Sequence, residues 1–97
     1  MMRSGDLIFE IRYHPDVKIV DLPLIDAKIQ KRIKTAIEMR LLKAPHQYGE
    51  PLRKTLKGYW KLRAGDYRVV FKIMGQEVNI LGIIHRKKVY EKIGKRI

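Results

Sequence analysis

Between Tyr59 and Tyr90 the chain places Lys61, Arg63, Arg68, Lys72, His85, Arg86, Lys87 and Lys88, with only Asp66 and Glu77 as acids. Such a set suits the holding and cutting of a phosphodiester. Attack of a ribose 2′-hydroxyl on its own phosphate needs a proton acceptor, a proton donor and positive charge where the phosphorane develops. Lysine, arginine and histidine supply all three. His85, beside Arg86, is the histidine nearest the cationic stretch, whereas His14 precedes a proline and His46 follows one, so both read as surface residues. The ring of Tyr90 offers a stacking platform for a base, or packs on the sheet edge as an ordinary helix residue. Asp66, in "AGDYR", reads as a turn residue.

Other chemistries lack their parts. A two-metal site needs converging carboxylates, and residues 52–97 offer only Asp66, Glu77 and Glu91, so no metal and no cofactor is expected. Without cysteine there is neither a disulfide framework nor a thiolate metal site. No Ser/His/Asp constellation or Gly-rich phosphate loop is recognisable. Met1 to Asp6 holds one arginine and no apolar stretch of signal-peptide type, and no apolar run reaches membrane-span length. A soluble, cytoplasmic protein is expected.

Charge points to a polyanion. The 97 residues carry a formal net charge of +12. Residues 1–51 hold nine Lys/Arg against seven Asp/Glu, and residues 52–97 hold thirteen against three, so the second half carries +10 of the total. A domain this far from neutrality repels itself unless an anion is near, and nucleic acid leads the candidates. A Lys-rich solvated surface is the plainer alternative.

The elements that must position these groups follow from apolar spacing. "DLIFEIRY" sets Leu7, Phe9 and Ile11 at period two, as in a strand with one buried face. Pro15 then suits the start of a short helix running to about Val20. In "LPLIDAKIQKRIKTAIEMRLLKAP", Ile25, Ile29, Ile33 and Ile37 recur every four residues, with Lys28, Lys31, Arg32 and Lys34 outside, and Pro45 cannot continue the helix. From Gly58 the period falls to two. "YWKLR" and "YRVVFKI" form a hairpin closed by "AGD", "EVNILGII" a third strand, and "KKVYEKIG" a last helix. Alternation puts Trp60, Leu62, Val69, Phe71 and Ile73 in the core and Lys61, Arg63, Arg68 and Lys72 on the other face. The order β-α-α-β-β-β-α describes a single α+β domain over residues 1–97, an antiparallel sheet with helices packed on one side.

The run "LKGYWKLRAGDYRVVFKI" followed by "ILGIIHRKKVY" resembles the RelE/ParE superfamily of bacterial and archaeal toxins from toxin–antitoxin modules, and within it the RelE branch. The resemblance spans residues 7–93. It implies a metal-independent, ribosome-dependent endoribonuclease, an mRNA interferase that cuts the message in the decoding site. Lys61, Arg68, Arg86 and Tyr90 fall on the family's functional positions, and Arg63 on a commonly basic one. Tyr59 stands where the best-studied pattern has a second lysine. With the chemistry above, Arg68 and Arg86 are expected to stabilise the scissile phosphate and Lys61 and His85 to handle protons. Tyr90 would stack on or orient a base, and Arg63, Lys87, Lys88 and Tyr59 would hold the RNA. The resemblance also implies a RelB-like antitoxin, wrapping the domain with an amphipathic helix and acidic residues, beside the ribosome and mRNA as partners. A ParE-like gyrase inhibitor without nuclease activity and a non-catalytic nucleic-acid-binding module are the alternatives.

Overall fold

The computed structural model describes residues 8–53 and 56–97. Leu7 and the N-terminal hexapeptide therefore lie outside the described residues. Strand β1, Glu10–Tyr13, runs into a helical segment that begins at Pro15 and extends to Leu24 through a wide π-type turn and a tight 3-10 turn. Ile25 is extended and breaks the helix, and the Gln30 side chain ties the corner by donating to the carbonyls of Leu22 and Ile25, 2.8 Å each. Helix α1, Ala27–Ala36, continues through a π-type turn over Ile37–Leu41. Its four-residue repeat does what the spacing requires: Ile25, Ile33, Ile37 and Leu41 are buried, and Ile29 packs beside them. Pro45 opens the short helix α2, Pro45–Tyr48.

The remaining chain is mostly sheet. Strands β2 (Glu50–Pro51), β3 (Trp60–Ala64), β4 (Tyr67–Met74) and β5 (Glu77–His85) follow in antiparallel succession, and helix α3, Val89–Arg96, closes the fold. Gly65 and Gly75 take positive φ of 63° in the two hairpin turns, a conformation that glycine enters at no steric cost. The meander, the α+β class and the sorting of the β3–β4 hairpin agree with the sequence. Leu62, Val69 and Phe71 are buried with Ile33 and Ile37, and Trp60, Ile73 and Ile29 pack against them.

Two details of the layering differ from expectation. The sheet is mixed, because β1 joins the far edge parallel to β5, in the order β1-β5-β4-β3-β2. The helices also cover both faces. One core holds α1 and Phe71; a second, with Leu52, Leu56, Val70, Ile84, Val89 and Ile93, lies under α3 on the opposite face. The physical reason lies in "RVVF" and "LGII", where consecutive apolar residues give both faces of β4 and β5 surface to bury. A bulge in β5 assists: Val70 pairs with Gly82 and Phe71 with Ile80, leaving Leu81 as the extra residue.

Candidate nucleic-acid interface

Because α3 occupies the middle of the second face, the cations there gather in a cleft between α3 and the β3–β4 hairpin. The cleft measures ≈ 390 Å³, and its walls include Arg53, Lys61, Arg68, Arg86, Lys87 and Tyr90. Five cations thus meet one lining carboxylate, Glu91. They come from β3, β4, the loop before β3 and the turn after β5. Lys61 and Arg68 project from β3 and β4 on the parity opposite to Leu62 and Val69. Arg86 is held where the chain leaves β5, its backbone N–H donating to the Asp66 carbonyl at 2.8 Å and its Nε lying 3.7 Å from the Asp66 carboxylate. Asp66 is thus a turn residue that also orients a cleft arginine. Val89 and Ile93 seat α3 on the sheet, which leaves Tyr90, the next residue round the helix, at the cleft wall.

Tyr90 sits among cations. The Arg53 guanidinium stacks 3.9 Å from the centre of its ring, and the Lys61 ammonium lies 6.0 Å away on the cleft side. Arg53 was not singled out by the sequence pattern, since it belongs to neither strand nor helix. The flanking apolar residues Leu52 and Leu56, both buried beneath α3, are the signal that pins this segment at the cleft. Arg68 is braced by its own turn, its Nη1 donating to the carbonyls of Gly65 and Tyr67 at 2.9 Å each. Burial first, then the like charges of Arg63 and Arg86, hold its guanidinium below the ordinary arginine value, against the opposing pull of Asp66 and Glu50. Directly opposed Arg63 and Arg68 form a like-charge cross-strand pair, an arrangement that a bound anion relieves.

The other residues named from sequence fall in three places. Arg63 is exposed beside Arg68, on the same face and outside the cleft lining. Lys88 caps the start of α3, exposed and also outside the lining, while Lys87 is within it. Tyr59 lies further along the face, where Lys72 approaches its ring at 5.4 Å. His85 does not join the group. It pairs across the ladder with Tyr67, its ring 5.6 Å from the Tyr67 ring on the α1 side, and its Nδ1 accepts the Lys87 N–H at 3.2 Å. The β5 bulge and strand parity turn the imidazole away from the side chains of Lys61 and Arg68. Among the described residues no group of three His, Asp or Glu side chains converges.

The chain is similar to known proteins over most of its length. The family described as the ParE toxin of type II toxin–antitoxin systems, parDE, matches residues 11–90. "Toxin RelE" of Mycobacterium tuberculosis (strain ATCC 25618 / H37Rv) is 38% identical over 72 residues, spanning 72% of this chain and 74% of that protein. Among solved structures, a RelBE toxin–antitoxin complex of the same species superposes with a TM-score of 0.75 at 27% identity, covering 82% of this chain and 93% of that one. A double-arginine mutant of the E. coli toxin RelE in the free state shares the fold, with a TM-score of 0.68 at 17% identity over 93% of this chain and 98% of that one. The chain belongs to the RelE/ParE family of toxins from type II toxin–antitoxin systems.

Proposed function

We infer that this toxin acts as a metal-independent endoribonuclease on ribosome-bound message. The observation that carries the reading is the convergence of Lys61, Arg68, Arg86 and Tyr90, from three strands' worth of sheet and the last helix, on one cleft. In the reaction the ribose 2′-hydroxyl gives up its proton as its oxygen bonds to the adjacent phosphorus, the bond to the 5′-oxygen breaks, and that oxygen takes up a proton. Arg68 and Arg86 bracket the phosphate and stabilise charge that appears as the phosphorane forms. Lys61, half-buried in the same cleft with its ammonium 6.0 Å from the Tyr90 ring, handles the proton. Tyr90 stacks on a base, with the Arg53 guanidinium on its ring marking the position a planar group can take. Arg63, Lys87 and Lys88 hold the backbone, and Tyr59 with Lys72 extends the track along the face. His85 stands apart from this set and serves the turn instead. The ribosome as the site of action follows from the RelE-type resemblance.

The partner of such a toxin is an antitoxin, and two surfaces suit one. Its acidic residues would neutralise the cationic cleft. Its amphipathic helix would fill a groove of ≈ 560 Å³ beside α1, where Val17, Leu22, Ile33 and Ile37 form an apolar floor and Lys31 and Lys34 a basic rim. A cytoplasmic site of action accords with both partners; no helix among the described residues is long and apolar enough to cross a membrane.

The test separates chemistry from binding. Arg86→Ala should slow single-turnover cleavage of ribosome-bound message by about 10²-fold or more, while ribosome affinity changes far less. Arg68→Ala should behave alike. Because the matching family is described by ParE, a gyrase-directed action is the second reading: a wild-type protein that leaves the message intact and traps gyrase on cleaved DNA would establish it instead.

A further inference from the structure

Opposite the cleft end of α3, two charged side chains are buried that the cleavage reading does not use. Arg96 and Asp21 form a two-pronged ion pair, with Nη1 and Nη2 donating to the two carboxylate oxygens at 2.8 Å each, and their side chains are 8% and 0% exposed. The pair spans the sheet edge. Strand β1 covers β5 only as far as Ile80, where the His14 N–H donates to the last carbonyl. Beyond that point the backbone of β5 would be bare. Asp21 accepts the Ile83 N–H at 2.9 Å, and Arg96 Nη1 donates to the Leu81 carbonyl at 3.0 Å. The Arg96 Nε also lies 3.5 Å from Asp16. A Cβ at position 82 would stand 2.8 Å from Arg96 Nη1, so the residue there, Gly82, gives the guanidinium its passage over the strand.

A buried ion pair rarely adds much net stability, because desolvation offsets most of the attraction. What it adds is direction, since a guanidinium fork fits a carboxylate in one plane. Val89, Ile93 and Arg96 follow one another at four and three residues, a single stripe along α3. The first two are apolar contacts that permit the helix to roll; the third fixes it. Tyr90 lies off that stripe, about 9 Å along the axis from Arg96. A roll of about 15° moves a ring about 6 Å from the helix axis by about 1.5 Å, enough to take a stacking group out of register.

We propose that Arg96 is a positioning residue: by gripping Asp21 across the bare edge of β5, it sets the roll of α3 and thereby the place of the Tyr90 ring at the cleft. Its effect on cleavage rests on the ribonuclease reading; its effect on Tyr90 does not.

The experiment uses the full chain carrying Asp21→Asn together with Arg96→Met, which leaves no buried charge unpaired and keeps an acceptor for the Ile83 N–H. In the wild type, the side-chain methylene protons of Arg53 should carry ring-current shifts from Tyr90. The double variant should retain sheet amide protection, lose most of those shifts, and exchange its α3 amides about tenfold faster or more. Single-turnover cleavage at saturating ribosomes should fall about tenfold or more while half-saturation stays within about twofold. Arg96→Lys, which keeps the charge without the fork, covers the case in which the double variant does not fold, and should show an intermediate loss of the Arg53 shifts. A folded double variant, or Arg96→Lys, with wild-type Arg53 shifts and α3 protection would overturn the proposal. Collapsed shifts in a protein whose wild type cleaves nothing would reject the ribonuclease reading and leave the positioning role standing.

Discussion

At the scale of single residues, the cleft is a set of cations held in place by their neighbours. Asp66 aims Arg86, the turn carbonyls of Gly65 and Tyr67 brace Arg68, and Tyr90 lies against Arg53. If Tyr90 acts by stacking, Tyr90→Phe should leave cleavage within about threefold, and Tyr90→Ala should cost about 10-fold or more, since base–aromatic stacking contributes roughly 1–3 kcal/mol. A large loss in Tyr90→Phe, read in the same single-turnover assay, would instead assign the hydroxyl a proton-handling part. Arg53→Ala removes the cation from the ring face. It should weaken RNA binding without abolishing cleavage, and an unchanged affinity would make the stacked guanidinium a packing contact alone. Lys61 and Arg68 are legible in the sequence by residue type and strand parity, and Arg86 by its place where the chain leaves the third strand. His85 was not placed correctly by the same reasoning. Proximity to Arg86 along the chain suggests proximity in space, but His85 ends β5 in register with Tyr67 and faces that side, whereas Arg86 already belongs to the turn that follows.

At the scale of elements, the structure turns on surfaces that come very close. Gly49 has ordinary negative φ, but a Cβ there would lie 2.6 Å from the end of the fully buried Phe71 ring and 3.0 Å from the Pro45 carbonyl. Gly49→Ala should therefore destabilise the domain by about 1–3 kcal/mol through overpacking, measurable as a lowered denaturation midpoint at unchanged slope. No loss would mean that α2 and Phe71 can move apart freely. At the β1 edge, partial desolvation of the half-exposed Tyr13 and then the charge of Glu38 hold its phenol above the ordinary tyrosine value of 10.0. A raised value in the folded state means that the protonated form is favoured by folding. The stabilising contribution is complete below the ordinary value and lost as pH rises through the folded one. Tyr13→Phe should remove a phenolate absorbance step lying above 10.0 and soften the alkaline fall in stability; a step lost at or below that value would contradict this. Helix periodicity and the hairpin were readable because each rests on local spacing. The parallel pairing of β1 with β5 was not, since it joins residues far apart in sequence through the helical layer. The second core was visible in principle: Val70 follows Val69, and Ile84 follows Ile83, so neither face of those strands could face water.

At the scale of the whole molecule, the net charge is +12, and five of the cations line the cleft between α3 and the hairpin against one carboxylate. Such a surface binds by releasing counterions, so affinity for single-stranded RNA should fall with salt at a slope of about 0.7 per neutralised phosphate. Lys87→Ala should reduce that slope by about one phosphate's share, and an unaltered slope would return Lys87 to the solvated surface. The central claim is that the cleft cuts RNA by using the message's own 2′-hydroxyl. It is tested most directly by presenting ribosome-bound message with a single 2′-deoxy nucleotide at the cleavage position and analysing the product ends of the unmodified message by mass spectrometry. The account predicts that the 2′-deoxy message survives, while the normal message yields a 2′,3′-cyclic phosphate or its hydrolysed phosphate opposite a 5′-hydroxyl. Cleavage of the 2′-deoxy message, or ends bearing a 5′-phosphate, would contradict it.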